Sequence, residues 1–412
     1  MQTVLSQAQK AKEAAKILRQ TETEKKNAFL NKLAELLDTK SSFVLAENQK
    51  DLDGNQNITP AMKKRLAISE ASLKSIADGV RTIAGLSDPV GKVVSTLKKK
   101  DGLLIERVRT PIGVIACIFE SRPNVIIDVA ALCVKSGNAV IVRGGKEAFH
   151  SNNALAGLVH EALEFAGLPL ASVQQLDDKR HEAIYELVQL EDYLDLVIPR
   201  GREELIRAVS EHARMPVMKH MRGLCHLYID RDADIAKAIK IAVNAKTSNP
   251  ATCNSVETIL VHKDVADKTL PDLLEQLFAK NVEVRGDEKT CAYSPKCVPA
   301  TEEDWSAEYL DLTVSIKIVG SYEDAVAHIE KYSSGLTDSI MTENKETAEK
   351  FKKTIDSATV LVNASNRLTD GGVFELGGEI GISTSRIHMR GPMGLEDLTV
   401  TKYVVTGDGH TR

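Results

Sequence analysis

The sequence predicts an α/β fold of two domains, each a mostly parallel sheet covered by helices on both faces. From Pro111 onward, apolar runs of strand length alternate with helical patterns, the order that β-α-β crossovers require. The chain has 412 residues, enough for two or three domains at about 100–200 residues each. Its 27% charged and 43% hydrophobic residues fit a globular chain rather than a disordered or coiled-coil one.

The elements follow in order. The first ninety residues read as helices, with apolar residues at helical spacing at Ile17, Leu18, Phe29, Leu33, Leu36 and Leu37, then at Leu66, Ile68, Leu73, Ile76 and Val80. Asp88-Pro89 and Gly91 break that pattern. Residues Val93 to Val108 alternate loosely and are rich in Lys and Arg, as in an exposed hairpin turning at Asp101-Gly102. Pro111 to Phe119 reads as a strand, the stretch from Pro123 to Ser136-Gly137 as a helix, and Ala139 to Val142 as a second strand: one β-α-β unit. A helix near Ala148 to Phe165, strands near Val173 to Leu176 and Leu194 to Ile198, and a helix near Glu203 to His212 continue the alternation. A second series starts near Leu227, with helix Ala233 to Ala245, strand Val256 to Val261, helix Val265 to Ala279 and a last strand near Val360 to Val362. Seven of residues 371–394 are glycine, which predicts a long loop, a feature uncommon unless functional.

Charge and cysteine usage narrow the function. With 53 Lys+Arg against 58 Asp+Glu, the net charge of −5 lacks the basic excess of a nucleic-acid binder. No apolar run approaches the ~18 residues of a membrane span, and the Lys- and Glu-rich N-terminus lacks the apolar core of a signal peptide. The expectation is a cytosolic chain with no nucleic-acid or membrane partner. Six cysteines without a C-x-x-C pair indicate neither a disulfide framework nor a zinc ribbon. Cys291 and Cys297 lack nearby His or Cys partners, so no metal site is expected.

Among the cysteines, Cys253 stands apart. In KTSNPATCNSVETILVH it follows a helix, a polar stretch and Pro250, and precedes a β-rich run. That places its thiol on a loop, where exposed N–H groups can favour the nucleophilic thiolate. Cys117, Cys133 and Cys225 sit in or beside apolar runs and read as small buried hydrophobes. SGNAVIVRGGKEA runs from strand through Gly144-Gly145 and Lys146 into a helix, an arrangement able to bring N–H groups and positive charge to a phosphate. It matches neither the P-loop nor G-x-G-x-x-G, and a plain strand-to-helix turn is an equal reading. Pro199-Arg200-Gly201, after a strand, offers a second nucleotide contact or a simple turn. In FESRPNV, Ser121, Arg122 and Asn124 follow the C-terminal end of a strand, where open α/β sheets place their sites. Arg122 suits a carboxylate or phosphate. His220, in VMKHMRG, is a further candidate, although an ordinary surface or core histidine is the commoner case.

Taken together, PIGVIACIFESRPNV, SGNAVIVRGGKEA, IPRG, the Cys253 segment, HIEKYSSGLTDSI, VNASNRLTDGG and GGEIGISTSRIHMRGPMGLEDL resemble the aldehyde dehydrogenase superfamily over essentially the whole chain, and within it the branch that reduces a glutamyl acyl phosphate. One departure is Leu336, where that branch usually has a histidine before the Thr-Asp pair. The resemblance implies an aldehyde dehydrogenase-like fold, with a cofactor domain over 1–95 and 110–222, a catalytic domain over 223–391, and a β oligomerisation arm over 96–109 and 392–412. It implies NADPH-dependent reduction of L-glutamate 5-phosphate to L-glutamate 5-semialdehyde, the second step of proline synthesis.

By the same resemblance, the Cys253 thiolate attacks the acyl phosphate and Ser121 helps hold the oxyanion. Arg143, Gly144, Gly145, Lys146, Pro199, Arg200 and Gly201 serve the cofactor. Arg122, Asn124, His220, Asn363, Ser365 and Ser383 serve the substrate. The glutamate general base of hydrolytic relatives has no carboxylate counterpart in Lys219 to Gly223, which suits a thioester that must survive until hydride or phosphate reaches it. Glu257 is expected to be structural. A homo-oligomer follows by analogy, as does a possible complex with the glutamate 5-kinase that would supply a labile substrate. Competing readings are another aldehyde dehydrogenase with a different substrate, a catalytically silent member of the fold, and a cysteine hydrolase.

Overall fold

The structure, a computed structural model, describes residues 3–219 and 221–412. The chain divides into two compact units, one formed by Met1–Lys219, Glu375–Gly381 and Met393–Arg412, the other by His220–Phe374 and Ile382–Pro392.

The first unit opens with the helices Val4–Leu18, Thr23–Thr39, Ser41–Gly54, Pro60–Leu66 and Glu70–Gly85. Helix Glu70–Gly85 starts at a reciprocal box in which the Ser69 and Ser72 hydroxyls each accept the other's backbone N–H, satisfying two of the amides a helix start leaves open. Strands β1 (Val93–Lys98) and β2 (Leu104–Pro111) form the hairpin read from the sequence, and Gly102 turns it with φ +92°. Strands β3 (Val114–Phe119), β4 (Ala139–Arg143), β5 (Val173–Gln175) and β6 (Leu196–Arg200) make a parallel sheet in the order β5-β4-β3-β6. All six residues of β3 are buried, as is nearly every residue of the helix Val125–Lys135 that crosses from β3 to β4, which explains why both read as continuous apolar runs. Gly137, at φ +78°, ends that helix in the left-handed conformation that favours glycine.

The second unit is a seven-stranded parallel sheet: β7 (Cys225–Ile229), β8 (Val256–His262), β9 (Glu283–Gly286), β10 (Val298–Pro299), β11 (Thr313–Val319), β12 (Thr337–Met341) and β13 (Thr359–Val362), in the order β10-β9-β11-β8-β7-β12-β13. Neighbouring residues of β7 go to opposite faces. Leu227 and Ile229 join a core with helices Ile235–Thr247 and Lys263–Ala279, whereas Tyr228 packs with helices Tyr322–Tyr332 and Lys345–Thr354. The sequence reading assigned nothing between Ala279 and Val360, where β9 to β12 and the last two of these helices lie.

The glycine-rich segment is not all loop. It contains β14 (Gly381–Ser383) and β15 (Gly391–Met393), paired as a two-stranded ribbon. Finally β16 (Thr399–Thr406) returns to the first unit and pairs antiparallel with β2, completing a three-stranded sheet β1-β2-β16. Val93, Val94, Leu97, Tyr403 and Val405 are all exposed on it.

Candidate active site

In the first unit the candidate residues gather at the C-terminal ends of three adjacent strands, β4, β3 and β6, the edge where open parallel sheets bind ligands. Ser121, just past β3, is buried, and both its N–H (2.9 Å) and its hydroxyl (2.5 Å) donate to the Glu147 carboxylate. Burial would raise the Glu147 carboxyl, but these hydrogen bonds and its own amide win and hold it below the usual range. A Cβ on Gly145 would fall 2.2 Å from Glu147 Oε1, so glycine is needed there for the carboxylate to fold back toward Ser121. Asn124 donates to the Asp128 carboxylate at 3.1 Å, and burial pushes Asp128 up to about 6 despite the charge of Arg200. Arg122 is half-buried in the same loop.

Arg143 is half-buried, with its guanidinium donating to the carbonyls of Gly144 and Lys179. Its Nε is buried with no hydrogen-bond partner among the described residues. Lys146 is exposed. Pro199 and Arg200 close β6 beside Ile118 and Phe119 of β3, and Gly201 is hemmed in by Glu120 and Leu205. The sequence leaves this turn open between a phosphate-binding arrangement and a plain strand-to-helix connection. The helix Phe149–Phe165 does not offer its N-terminal amides to a phosphate, because Asp51 already accepts the N–H groups of His150 (2.9 Å) and Ser151 (2.8 Å). A buried carboxylate has taken the anion's place, leaving Arg143, Lys146 and the glycine pair as what this loop can present.

In the second unit Cys253 lies on the loop between helix Ile235–Thr247 and β8, half-buried. It packs against the buried side chains of Cys225, Leu336 and Ile382, so the position usually held by histidine is an apolar wall of the thiol's surroundings. The Cys225 thiol donates to the Cys253 carbonyl at 3.2 Å. A Cβ on Gly223 would land 2.1 Å from the Cys253 oxygen and 2.5 Å from its Cα, so only glycine permits that approach. The Gly223 N–H in turn donates to Glu308 at 2.8 Å. A carboxylate therefore does reach the Lys219 to Gly223 segment, from a position the sequence did not flag.

The neighbours of Cys253 are tied to a second loop. Asn254 donates to the Thr369 carbonyl at 2.8 Å, and Arg367 Nη1 donates both to Asn254 Oδ1 and, at 2.8 Å, to Thr252 Oγ1. Asn366 is buried and donates to the carbonyls of His226 (3.1 Å) and Thr337 (3.2 Å), fixing the turn that carries Arg367. Neither Arg367 nor Glu147 was singled out from the sequence, although each lies inside a motif that was.

The remaining candidates differ among themselves. Asn363, at φ +51°, spends its amide on Thr342, accepting the Thr342 N–H at 2.9 Å and donating to its carbonyl at 2.8 Å. Ser365 is buried, and its hydroxyl has no partner among the described residues. The Ser383 hydroxyl accepts the Ser385 N–H at 3.0 Å. His220 lies outside the described residues. Cys117, Cys133 and Cys225 are fully buried, and burial pushes the Cys117 thiol up to about 12 and the other two well above the usual thiol value. These three are inert under ordinary conditions.

Against known proteins, residues 2–304 match the model of the aldehyde dehydrogenase family. Over its full length the chain is 46% identical to the gamma-glutamyl phosphate reductase of Xanthomonas campestris pv. campestris, with 100% of each chain covered. The chain belongs to the aldehyde dehydrogenase family. The gamma-glutamyl phosphate reductase of Carboxydothermus hydrogenoformans is 47% identical, again with 100% of both chains covered. The crystal structure of the Thermotoga maritima gamma-glutamyl phosphate reductase superposes with a TM-score of 0.96 at 44% identity, covering 100% of each chain. The fold is thus aldehyde dehydrogenase-like, and the chain falls in the family's gamma-glutamyl phosphate reductase branch. It is an oxidoreductase acting on an aldehyde or acyl phosphate, in a family that uses nicotinamide cofactors. Among the described residues no helix is long and apolar enough to cross a membrane.

Proposed function

We propose that this protein reduces L-glutamate 5-phosphate to L-glutamate 5-semialdehyde with NADPH, releasing phosphate, as the second step of proline biosynthesis. The observation that carries the chemistry is Cys253: a half-buried thiol on a loop braced on both sides, while three of the other cysteines are fully buried. Its thiolate attacks the acyl carbon, the carbonyl oxygen takes the negative charge, and collapse expels phosphate to leave a thioester. The Cys253 amide is the proposed oxyanion donor, whereas the one Ser121 hydroxyl proton is committed to the Glu147 carboxylate. NADPH, when bound, supplies the hydride that carries the thioester to the aldehyde level. A Cβ on Gly144 would meet Asn152 at 2.3 Å and Phe119 at 3.0 Å, so glycine is required there by the packing of the turn itself. Beside that turn Arg143 and the exposed Lys146 would hold the cofactor's phosphate groups; Pro199, Arg200 and Gly201 complete the proposed cofactor contacts. The substrate's polar groups fall to Arg122, Asn124, His220, Ser365 and Ser383. Asn363 remains on that list only through its backbone, since its amide is engaged.

The decisive experiment runs the reaction backwards, away from the labile acyl phosphate. Purified protein oxidises glutamate semialdehyde only when phosphate is present, with NADPH formation followed at 340 nm, and a Cys253→Ala variant does not. Oxidation without phosphate would instead identify a hydrolytic dehydrogenase with another base. We also propose that the β1-β2-β16 sheet, which exposes Val93, Val94, Leu97, Tyr403 and Val405 among its charged residues, meets a second copy of the chain and that the enzyme works in the cytosol beside the kinase that makes its substrate. A sedimentation profile that stays monomeric at micromolar concentration would count against the first, and failure to co-purify would count against the last.

A further inference from the structure

We propose that Arg367 is a positioning residue for the nucleophile: a single guanidinium nitrogen clamps both neighbours of Cys253, and the charge it brings favours the thiolate. This rests on the reading of Cys253 as the nucleophile and adds to it a group that sets when the sulfur is reactive.

The geometry is that of a bracket. Nη1 of Arg367 donates to Thr252 Oγ1 at 2.8 Å and to Asn254 Oδ1, one residue before and one after Cys253. Each acceptor is fixed in turn, since Thr252 Oγ1 donates to the Asn249 carbonyl at 2.8 Å and Asn254 Nδ2 to the Thr369 carbonyl at 2.8 Å. The guanidinium cannot drift, because Asn366 beside it is buried and bonded to the backbone of β7 and β12, with its Oδ1 accepting from Ser339 at 2.8 Å. Arg367 Nε is buried with no hydrogen-bond partner among the described residues. The guanidinium stays charged under all working conditions, and in a partly desolvated loop its charge is weakly screened.

The other charged and titratable groups around this loop are mostly carboxylates or already paired. Cys225, packed against Cys253, feels the charges of Asp338 and Glu257. Glu308 holds the Gly223 amide that abuts Cys253, and Arg222 precedes it. Of the cations on this side, the Lys246 ammonium is already paired with Glu257 at 2.6 Å. Carboxylates thus act on the neighbouring Cys225 thiol and on the Gly223 amide, and Arg367 is a cation bonded directly to both residues that flank Cys253.

The test follows alkylation of Cys253 by iodoacetamide across pH 6 to 10, read on the Cys253 peptide by mass spectrometry, in the intact wild-type protein and in Arg367→Gln and Arg367→Lys. Gln can still donate to Thr252 or Asn254 but is neutral, whereas Lys keeps the charge. The expected result is that Arg367→Gln moves the alkylation midpoint up by about one pH unit and slows reaction at pH 7 about tenfold, while Arg367→Lys holds the wild-type midpoint. The proposal is overturned if the two variants shift together, or if neither shifts. Because alkylation is read without turnover, it stays informative even if Cys253→Ala were to remain active and sink the proposed reaction itself.

Discussion

The Lys246 ammonium and the Glu257 carboxylate meet at 2.6 Å, with side chains 0% and 1% exposed. Burial pushes Glu257 up to about 7 and Lys246 down, each charge disfavoured by its loss of water, while the contact between them pulls the other way. Glu257 also accepts the Leu310 N–H at 3.3 Å, so it joins the strand after Cys253 to the loop that carries Glu308. Lys246→Met is expected to strand that carboxylate and cost about 3–5 kcal/mol. Adding Glu257→Leu to it should recover most of the loss, as measured by urea unfolding of both variants.

Acid should destabilise the fold through His328. It is buried among Trp305, Tyr332 and His226, with ring centroids 5.5, 4.6 and 5.5 Å away, and desolvation followed by the proximity of His226 pushes its pKa down to about 3. An unfolded histidine titrates near ~6.5. The neutral ring's contribution is therefore intact above the unfolded value and is lost as pH falls from there toward 3, because only the unfolded state takes up the proton. The expected slope from this one group is about 1.4 kcal/mol per pH unit. His328→Phe should flatten the dependence of Tm on pH between 6.5 and 4, and an unchanged slope would assign the acid limb to other groups.

Gly223 should tolerate no side chain. The approach of its backbone to the Cys253 oxygen and Cα means that Gly223→Ala must displace the nucleophile's peptide. Overpacking of this kind costs roughly 1–3 kcal/mol, so the variant is expected to fold. Its kcat in the reverse reaction should fall by more than its Tm shift suggests, with the KM for the cofactor unchanged.

Cofactor choice is expected to turn on Lys146. If its exposed ammonium meets a 2′-phosphate, Lys146→Ala should raise KM for NADP by roughly 10–100-fold, the cost of a charge-assisted contact, and leave KM for NAD nearly unchanged. Equal effects on both would move the phosphate contact to Arg143.

How far the sequence could be read depended on how burial is achieved. The β-α-β unit from β3 to β4 was legible because nearly all of it is apolar and buried. Strand β12 was not, because its first three residues, Thr337, Asp338 and Ser339, are fully buried yet polar. They are satisfied by partners distant in sequence: Asp338 accepts from the His226 N–H at 2.8 Å and Thr337 shares a 2.5 Å hydrogen bond with Thr369. No periodicity of apolar residues announces such a strand. The same holds at the site. Cys253 could be found as a thiol on a loop, but Arg367 gains its meaning from two hydrogen bonds to residues more than a hundred positions earlier. Asp51, too, caps a helix a hundred residues away, which is why the anion-binding reading of that helix start was open on sequence and closed in the structure.

The pairing of β16 with β2 has a consequence for how the chain is made. Eight register pairs, from Thr399↔Pro111 to Thr406↔Leu104, join strands separated by the whole of the second unit, and Asn138 Nδ2 reaches the Leu398 carbonyl at 2.8 Å. During synthesis β2 must wait, one edge bare, for nearly three hundred residues to be translated before its partner exists. The second unit, drawn almost entirely from one continuous stretch, faces no such delay. Nascent chains stalled before residue 399 should therefore show a protease-resistant second unit and an exposed, chaperone-binding β1-β2 hairpin, the stage at which this protein is most open to misassembly.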